Sequence, residues 1–204
     1  MSRRVLVVVC HPLQDSFTAA MAARVVAGLA GAEVRVTDLY AEGFEAAMSA
    51  EERLTHQDSP DGKTAIAAHA DDLRWCDTLI LVYPTWWSGQ PAMLKGWIDR
   101  VWVQGVAWTM PSGANRLKPL LTNIRRIVAI TSHGSSKLVN AVEGESGKRV
   151  VTRSLRVLCH PLTRTTWIAL YGIDRRTPAQ RTAFLDRVER RIRQRRAPAD
   201  AAEL

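Results

Sequence analysis

The chain has 204 residues and a mass of 22.7 kDa, with 47% hydrophobic residues, the size of one ordinary domain with apolar side chains enough for one sizeable core. No apolar run approaches the about 18 residues of a membrane span, and the opening Met-Ser-Arg-Arg before a short apolar run lacks a cleavage site. A soluble, cytoplasmic chain that is not membrane-embedded is therefore expected. The formal net charge of +8 permits attraction to phosphate-bearing partners, although much of it lies in the run Arg187, Arg190, Arg191, Arg193, Arg195 and Arg196. Cys10, Cys76 and Cys159 are scattered and odd in number, which reads as buried thiols rather than a disulfide framework.

Residues 5–10, Val-Leu-Val-Val-Val-Cys, form an unbroken apolar run, the pattern of a strand buried on both faces. His11-Pro12-Leu13-Gln14-Asp15-Ser16-Phe17-Thr18 then feeds an alanine-rich helical stretch that ends near Gly28. A loop entering a helix brings unpaired N–H groups and the positive end of the dipole together, which makes an anion site. Ser16 and Thr18 add hydroxyls there and His11 a titratable donor, while Ser16 alone reads as a helix cap. Neither G-x-G-x-x-G nor G-x-x-x-x-G-K-[ST] occurs, so a dinucleotide-type turn and a P-loop are excluded. Cys-His-Pro-Leu occurs at 10–13 and again at 159–162. Side chains alternate faces along a strand and no C-x-x-C or H-x-x-x-H spacing is present, so no metal is expected.

Residues 33–38 read as a second strand ending in Asp38-Leu39-Tyr40, and residues 42–60 as an ordered excursion with a short helix near 50–55. Ser59-Pro60-Asp61 resembles a helix start, with Ile66, Ala70 and Leu73 as the apolar face that follows. Glu51, Glu52, Asp71 and Asp72 pair with no nucleophile or metal ligand and read as solvated helix faces. Leu79-Ile80-Leu81-Val82 is a further buried strand, expected to stop at Pro84, which cannot donate to a ladder. The turn 85–90 carries Trp86 and Trp87, and Pro91 opens a helix with Leu94, Trp97, Ile98 and Val101 at helical spacing. Ligands of open α/β sheets bind at the carboxyl ends of strands, so these tryptophans are placed to wall a flat aromatic pocket; the competing reading is core packing at the sheet edge. Trp97, Trp102 and Trp108 span a wide arc, and the expectation is that a second copy of the chain buries part of it.

Residues 109–124 contain Pro, Ser, Gly and Asn and read as a long loop. Residues 126–131 are the fourth strand, running into Ser132-His133-Gly134-Ser135-Ser136-Lys137, a turn that brings backbone N–H groups to the same sheet edge. A helix over 145–158 and a fifth strand over 165–171 follow. Thr177-Pro178-Ala179-Gln180 is a capping box with proline at the first helical position, and the last helix buries Phe184, Leu185, Val188 and Ile192. Its arginine face lacks interleaved aromatics and reads as solvated, with no nucleic-acid partner expected.

Pro84, Trp87, Pro91, Leu94, Lys95, Gly96, Trp97, Asp99, Arg100 and Val101 resemble the signature of the flavodoxin-like NAD(P)H quinone oxidoreductases, the family of DT-diaphorase, in its short form. His11 with Ser16-Phe17-Thr18 is similar to the flavin phosphate loop of that family, and Gly105-Val106-Ala107-Trp108 to its G-x-A-[YFW] segment. The fold class expected is α/β, a flavodoxin-like doubly wound five-stranded parallel sheet of order 2-1-3-4-5 with helices on both faces. It spans one domain, residues 1–196, with a short tail over 197–204.

The resemblance implies His11, Ser16, Phe17, Thr18, Pro84, Thr85, Trp86, Trp87, Thr131, Ser132, His133 and Gly134 as flavin-binding residues, and Trp108 at the substrate side of a homodimer. It further implies FAD or FMN as cofactor, NADPH or NADH as hydride donor, and a quinone or other small aromatic acceptor reduced by two electrons in a ping-pong cycle. The chain departs from the family where the type members carry a tyrosine and a histidine after T-T-G-G. Here Ser132-His133-Gly134 is followed by Lys137, Val139 and Glu143, leaving His133 as the catalytic candidate or a surface residue. Two further readings stay open: an electron carrier of flavodoxin type, disfavoured by the positive charge, and an ancillary flavoprotein subunit of a potassium efflux transporter.

Overall fold

The computed structural model describes residues 2–55, 66–113 and 115–194. The helix start expected at Ser59-Pro60-Asp61, the arginines Arg195 and Arg196 and the tail 197–204 lie outside them.

The apolar runs become strands because both faces of the sheet are covered. β1 (Arg4–Val9), β2 (Glu33–Asp38), β3 (Thr78–Pro84), β6 (Arg126–His133) and β7 (Arg164–Tyr171) form a five-stranded parallel sheet in the order β2-β1-β3-β6-β7. That is the order 2-1-3-4-5 expected. Successive side chains point to opposite faces. Leu6, Val8, Leu79, Leu81, Tyr83, Ile127 and Ala129 enter one core with α3 (Ala67–Trp75) and α4 (Ala92–Val101). Val5, Val7, Val9, Ile80, Val82, Val128 and Ile130 enter the other with α1 (Phe17–Ala27) and α7 (Pro178–Arg193). The runs of β1, β3 and β6 are apolar because these inner strands have no solvent side, whereas the edge strand β2 alternates and is largely exposed.

Local signals set the helix starts. Ser16 caps α1 by accepting from Ala19 N, and Thr177 with Gln180 forms the capping box of α7. The excursion after β2 contains α2 (Ala50–Leu54), capped by Ser49 and Glu52. It is pinned to α4 by Arg100, only 7% exposed, whose Nε donates to Glu52 Oε1 at 2.9 Å and whose guanidinium also reaches Glu45 O.

Several expectations are corrected. Trp97 and Trp102 are 0% and 6% exposed, so this chain hides the aromatic surface assigned above to a second copy. α4 ends at Val101, and Trp102, with φ −85° and ψ 51°, leaves the helical arc and packs edge-on against Trp97. One expectation holds: β3 stops at Pro84, which pairs in register with Ser132 as the strand's last residue, where the proline needs no donor. The loop 109–124 contains a two-residue antiparallel pair, β4 (Trp108–Thr109) with β5 (Lys118–Pro119). The helix expected over 145–158 is α6 (Ser146–Arg149) continuing as a wide π turn over Val150–Leu155 and a 3-10 turn over Arg156–Leu158. A helix not foreseen, α5 (Lys137–Val142), precedes it, capped by Ser136.

Candidate functional site

The carboxyl ends of β3, β6 and β7 lie level, with Tyr83 opposite Thr131 and His133 opposite Tyr171. Beyond them opens a cavity of about 220 Å3, walled by Thr85, Trp87 and Ser88 after β3, by His133, Gly134 and Ser135 after β6, and by Asn140 and Glu143 of the α5 segment.

The turn that carries the tryptophans is held against its own preference. Trp86 and Gly89 exchange backbone hydrogen bonds of 3.3 and 3.0 Å, closing a two-residue corner at Trp87 (φ 48°) and Ser88 (φ 59°). Two left-handed corner residues are ordinarily Asn or Gly, and each L side chain there costs about 1–2 kcal/mol. The neighbouring turn fixes the conformation. Ser88 O accepts from Ser146 Oγ (2.7 Å) and Gly147 N (2.9 Å), Gln90 Nε2 donates to Gly147 O (2.8 Å), and Ser88 Oγ donates to the Glu143 carboxylate. The result is that Trp87 projects wholly into solvent, 102% exposed, with Trp86 at 43%. Of the two readings of this pair, the core reading is overturned for Trp87.

His133 is 5% exposed and not a surface residue. Its ring stacks on Tyr171, centroids 4.5 Å apart, and Nε2 lies 3.4 Å from Thr85 Oγ1, which is itself 2.8 Å from Thr131 Oγ1. Asn140 stands beside it with its Nδ2 committed to Ser135 Oγ and Ser136 O and its Oδ1 left to the imidazole, whose Nδ1 is buried with no hydrogen bond of ordinary geometry among the described residues. Burial holds the His133 pKa below the ordinary 6.5, against the opposing pull of Asn140, Glu145 and Glu143. The unfolded chain therefore binds the proton more readily than the folded one, and stability is lost as pH falls below about 6.5, until the native value is passed. We expect His133→Gln to shrink the loss in urea midpoint between about pH 7.5 and 5. An undiminished loss would show that His133 does not carry it.

His11 lies across the mouth, 6.2 Å from the Trp86 ring. Its Nδ1 lies 3.0 Å from Leu13 N and 3.2 Å from Leu13 O; in the tautomer where Nδ1 accepts from Leu13 N, Nε2 carries the proton. His160 repeats this with Leu162 N at 3.1 Å, so the recurring Cys-His-Pro-Leu is twice the same local turn. The three thiols are free and buried, and burial pushes each up to about 12, which leaves them unreactive.

The other expected residues divide. Ser16 sits at the open N-terminus of α1, where the first-turn N–H groups lack helical acceptors. Thr18 is buried, and the Phe17 ring turns to Phe184 (6.1 Å), so both face the anion position with backbone. Thr131 and Ser132 are buried strand residues beneath the cavity. Trp108 does not join the site of its own chain. Its Nε1 donates to Trp102 O (3.1 Å), and it pairs with Gly105, whose carbonyl is held by Arg74 just before β3 begins, at the opposite sheet edge. Residues missed from sequence are Ser88, Asn140, Glu143 and Tyr171. The Ser135-Ser136 pair before α5 and the place of Tyr171 at the end of a neighbouring strand were the available signals.

A family model described as flavodoxin-like fold matches residues 3–196. An uncharacterized NAD(P)H oxidoreductase, YcaK of Escherichia coli (strain K12), is 36% identical over 116 residues, covering 52% of this chain and 56% of that protein. NAD(P)H dehydrogenase [quinone] 1 of Cavia porcellus is 32% identical over 158 residues, 67% of this chain and 55% of that protein. The chain thus spans little more than half the length of these curated relatives. The solved NAD(P)H:quinone oxidoreductase from Methanothermobacter marburgensis superposes with a TM-score of 0.80 at 26% identity, covering 95% of this chain and 98% of that one.

Proposed function

Because this chain belongs to the flavodoxin-like fold family, we propose that it is a flavin-dependent NAD(P)H:quinone oxidoreductase. The observation that carries the reading is the wholly exposed Trp87 beside a polar cavity lined by the His133 ring. A planar heteroaromatic group with a hydrogen-bonding edge fits both. The donor and acceptor named for the relatives agree with that fit.

In this reading His11 Nε2, Ser16 and the first-turn N–H groups at Phe17 and Thr18 hold the flavin phosphate. Trp87 would stack on one face of the ring with Trp86 beside it, while the backbone of Pro84, Thr85, Thr131, Ser132, His133 and Gly134 would support it. When Thr85 donates to His133 Nε2, the imidazole proton sits on Nδ1, on the side of Asn140. His133 is thereby the proton-holding residue, and Tyr171 fixes its plane. The bound flavin, FAD or FMN, would accept a hydride from NADPH or NADH and pass two electrons to the quinone. A single face left open beside Trp87 would serve donor and acceptor in turn, for which ping-pong kinetics are expected.

The test is NADPH and NADH oxidation with and without menadione, together with release of the flavin by heat for identification. Two-electron turnover at one hydroquinone per NAD(P)H supports the reading; a yellow protein that turns over no quinone would instead be a carrier.

We also propose a homodimer in which Trp108 faces the partner's cavity. Trp97 and Trp102 no longer support it. The support is that Trp108 is half-buried and held rigid by its bond to Trp102 O, at the edge away from its own cavity. Sedimentation at low micromolar concentration is expected to give twice the 22.7 kDa of one chain, and a monomer with full activity overturns the proposal. Buried free thiols agree with a cytoplasmic setting. Among the described residues no helix is long and apolar enough to cross a membrane.

A further inference from the structure

The chain carries a formal net charge of +8, yet the residue that lends a formal charge to the wall of its cavity is Glu143. The neighbours around the cavity are hydroxyls, an amide, a glycine, an indole and a histidine that burial keeps neutral. Ser88 Oγ donates to the Glu143 carboxylate and orients it, and among the described residues no lysine or arginine forms an ion pair with it. Glu145, two residues on, differs in being neutralised by Lys148 Nζ at 2.7 Å. A second carboxylate approaches from the β7 side, where Asp174 Oδ2 lies 3.1 Å from the position a Cβ on Gly134 would take.

Two observations besides the charge indicate a ligand surface. Trp87 offers both faces of its indole to solvent, and the ring of His133, 95% buried, lines the same wall. An exposed aromatic face next to an unpaired carboxylate is the environment that attracts an organic cation. The arginines responsible for the net charge include those of the α7 face, on the layer packed against β1 and β3 rather than at this wall. With a screening length of about 8 Å at physiological salt, Glu143 at the wall itself outweighs the α7 arginines, while Arg176, whose Nε donates to Tyr171 O at 3.1 Å, stands nearer on the β7 side next to Asp174.

We infer that Glu143 makes this site select cationic aromatic acceptors over anionic ones, opposite to what the charge of the whole chain would draw in. The inference rests on the quinone-reductase reading above for its kinetic arm. In that reaction the quinone gains a hydride equivalent originating from NAD(P)H and one proton from solvent, giving hydroquinone and NAD(P)+. The charged substituent is a spectator, so the selection is made in binding.

The experiment uses the purified protein with its flavin and two naphthoquinones that differ in one substituent, a trimethylammonium or a sulfonate. The wild type is expected to show the higher kcat/KM with the cation, the difference lying in KM. Glu143→Gln keeps an acceptor for Ser88 but removes the charge, and is expected to cut the cation-to-anion ratio about five- to ten-fold. Ser88→Ala removes the tether, keeps the charge, and is expected to retain most of the ratio. A binding arm needs no turnover: tryptophan fluorescence titration with phenyltrimethylammonium and benzenesulfonate is expected to give the lower Kd for the cation, reversed or levelled in Glu143→Gln. A ratio that Glu143→Gln leaves unmoved in both arms overturns the inference. If neutral menadione is not reduced by either nicotinamide, the quinone-reductase reading fails by itself, and the binding arm still decides the cation preference.

Discussion

Replacing Gly96 by alanine is expected to destabilise the protein by about 2–3 kcal/mol, although alanine in a helix interior ordinarily gains up to about 1 kcal/mol over glycine. Gly96 lies in the middle of α4, where the helix meets the excursion after β2. A Cβ built there would stand 2.2 Å from Ala46 O and 2.7 Å from Ala46 Cα, which is backbone and not the yielding end of a side chain. Ala46 has little room to retreat, because Arg100, one turn along the same helix, binds the carbonyl of Glu45 and the carboxylate of Glu52 on either side of it. Relief therefore means breaking the ion pair of buried Arg100 with half-buried Glu52 or bending α4. For a chain of this size the cost corresponds to a fall of about 4–12 °C in Tm. Denaturant unfolding followed by tryptophan fluorescence measures it, and a midpoint at or above wild type would show that the excursion yields freely.

The second large effect is on cofactor retention. Trp87→Ala is expected to weaken flavin binding about 30- to 150-fold, or about 2–3 kcal/mol, as the summed loss of one stacked face and its apolar area. Stability of the protein without flavin should change by no more than about 0.5 kcal/mol, because the side chain is fully exposed and touches no core. Alanine inherits the same left-handed φ, so the corner at 87–88 is neither relieved nor worsened. Titration of the apoprotein with FMN and with FAD, beside urea unfolding of the same samples, separates the two quantities. A variant that precipitates while flavin per folded molecule stays unchanged would place Trp87 in the core and the pocket elsewhere.

Much of the architecture was legible because it depends on short sequence separations. The unbroken apolar runs at 5–10 and 79–82 declared strands covered on both faces, and the sheet is built that way. Ser16 and the Thr177–Gln180 box marked helix starts that the structure keeps, since caps act within three residues. The carboxyl edge of β3 and β6 was named as the site region, and the cavity lies there.

What sequence by itself determined is therefore the sheet, its two cores and the edge at which the cavity opens, all set by periodicity and by local backbone chemistry. Only the tertiary structure decided which side chains meet at that edge. Ser88 and Glu143 are 55 residues apart, and Thr85 and His133 48 apart, so no local pattern pairs them. Tyr171 reaches His133 only because β7 pairs with β6 in a register that sets the two opposite each other. The fates of the tryptophans were likewise not written in spacing. Trp102 is buried because α4 stops one residue earlier and lets it fold back, whereas Trp87 is exposed because contacts from the 143–147 turn hold it in a left-handed corner that no L side chain would choose unaided.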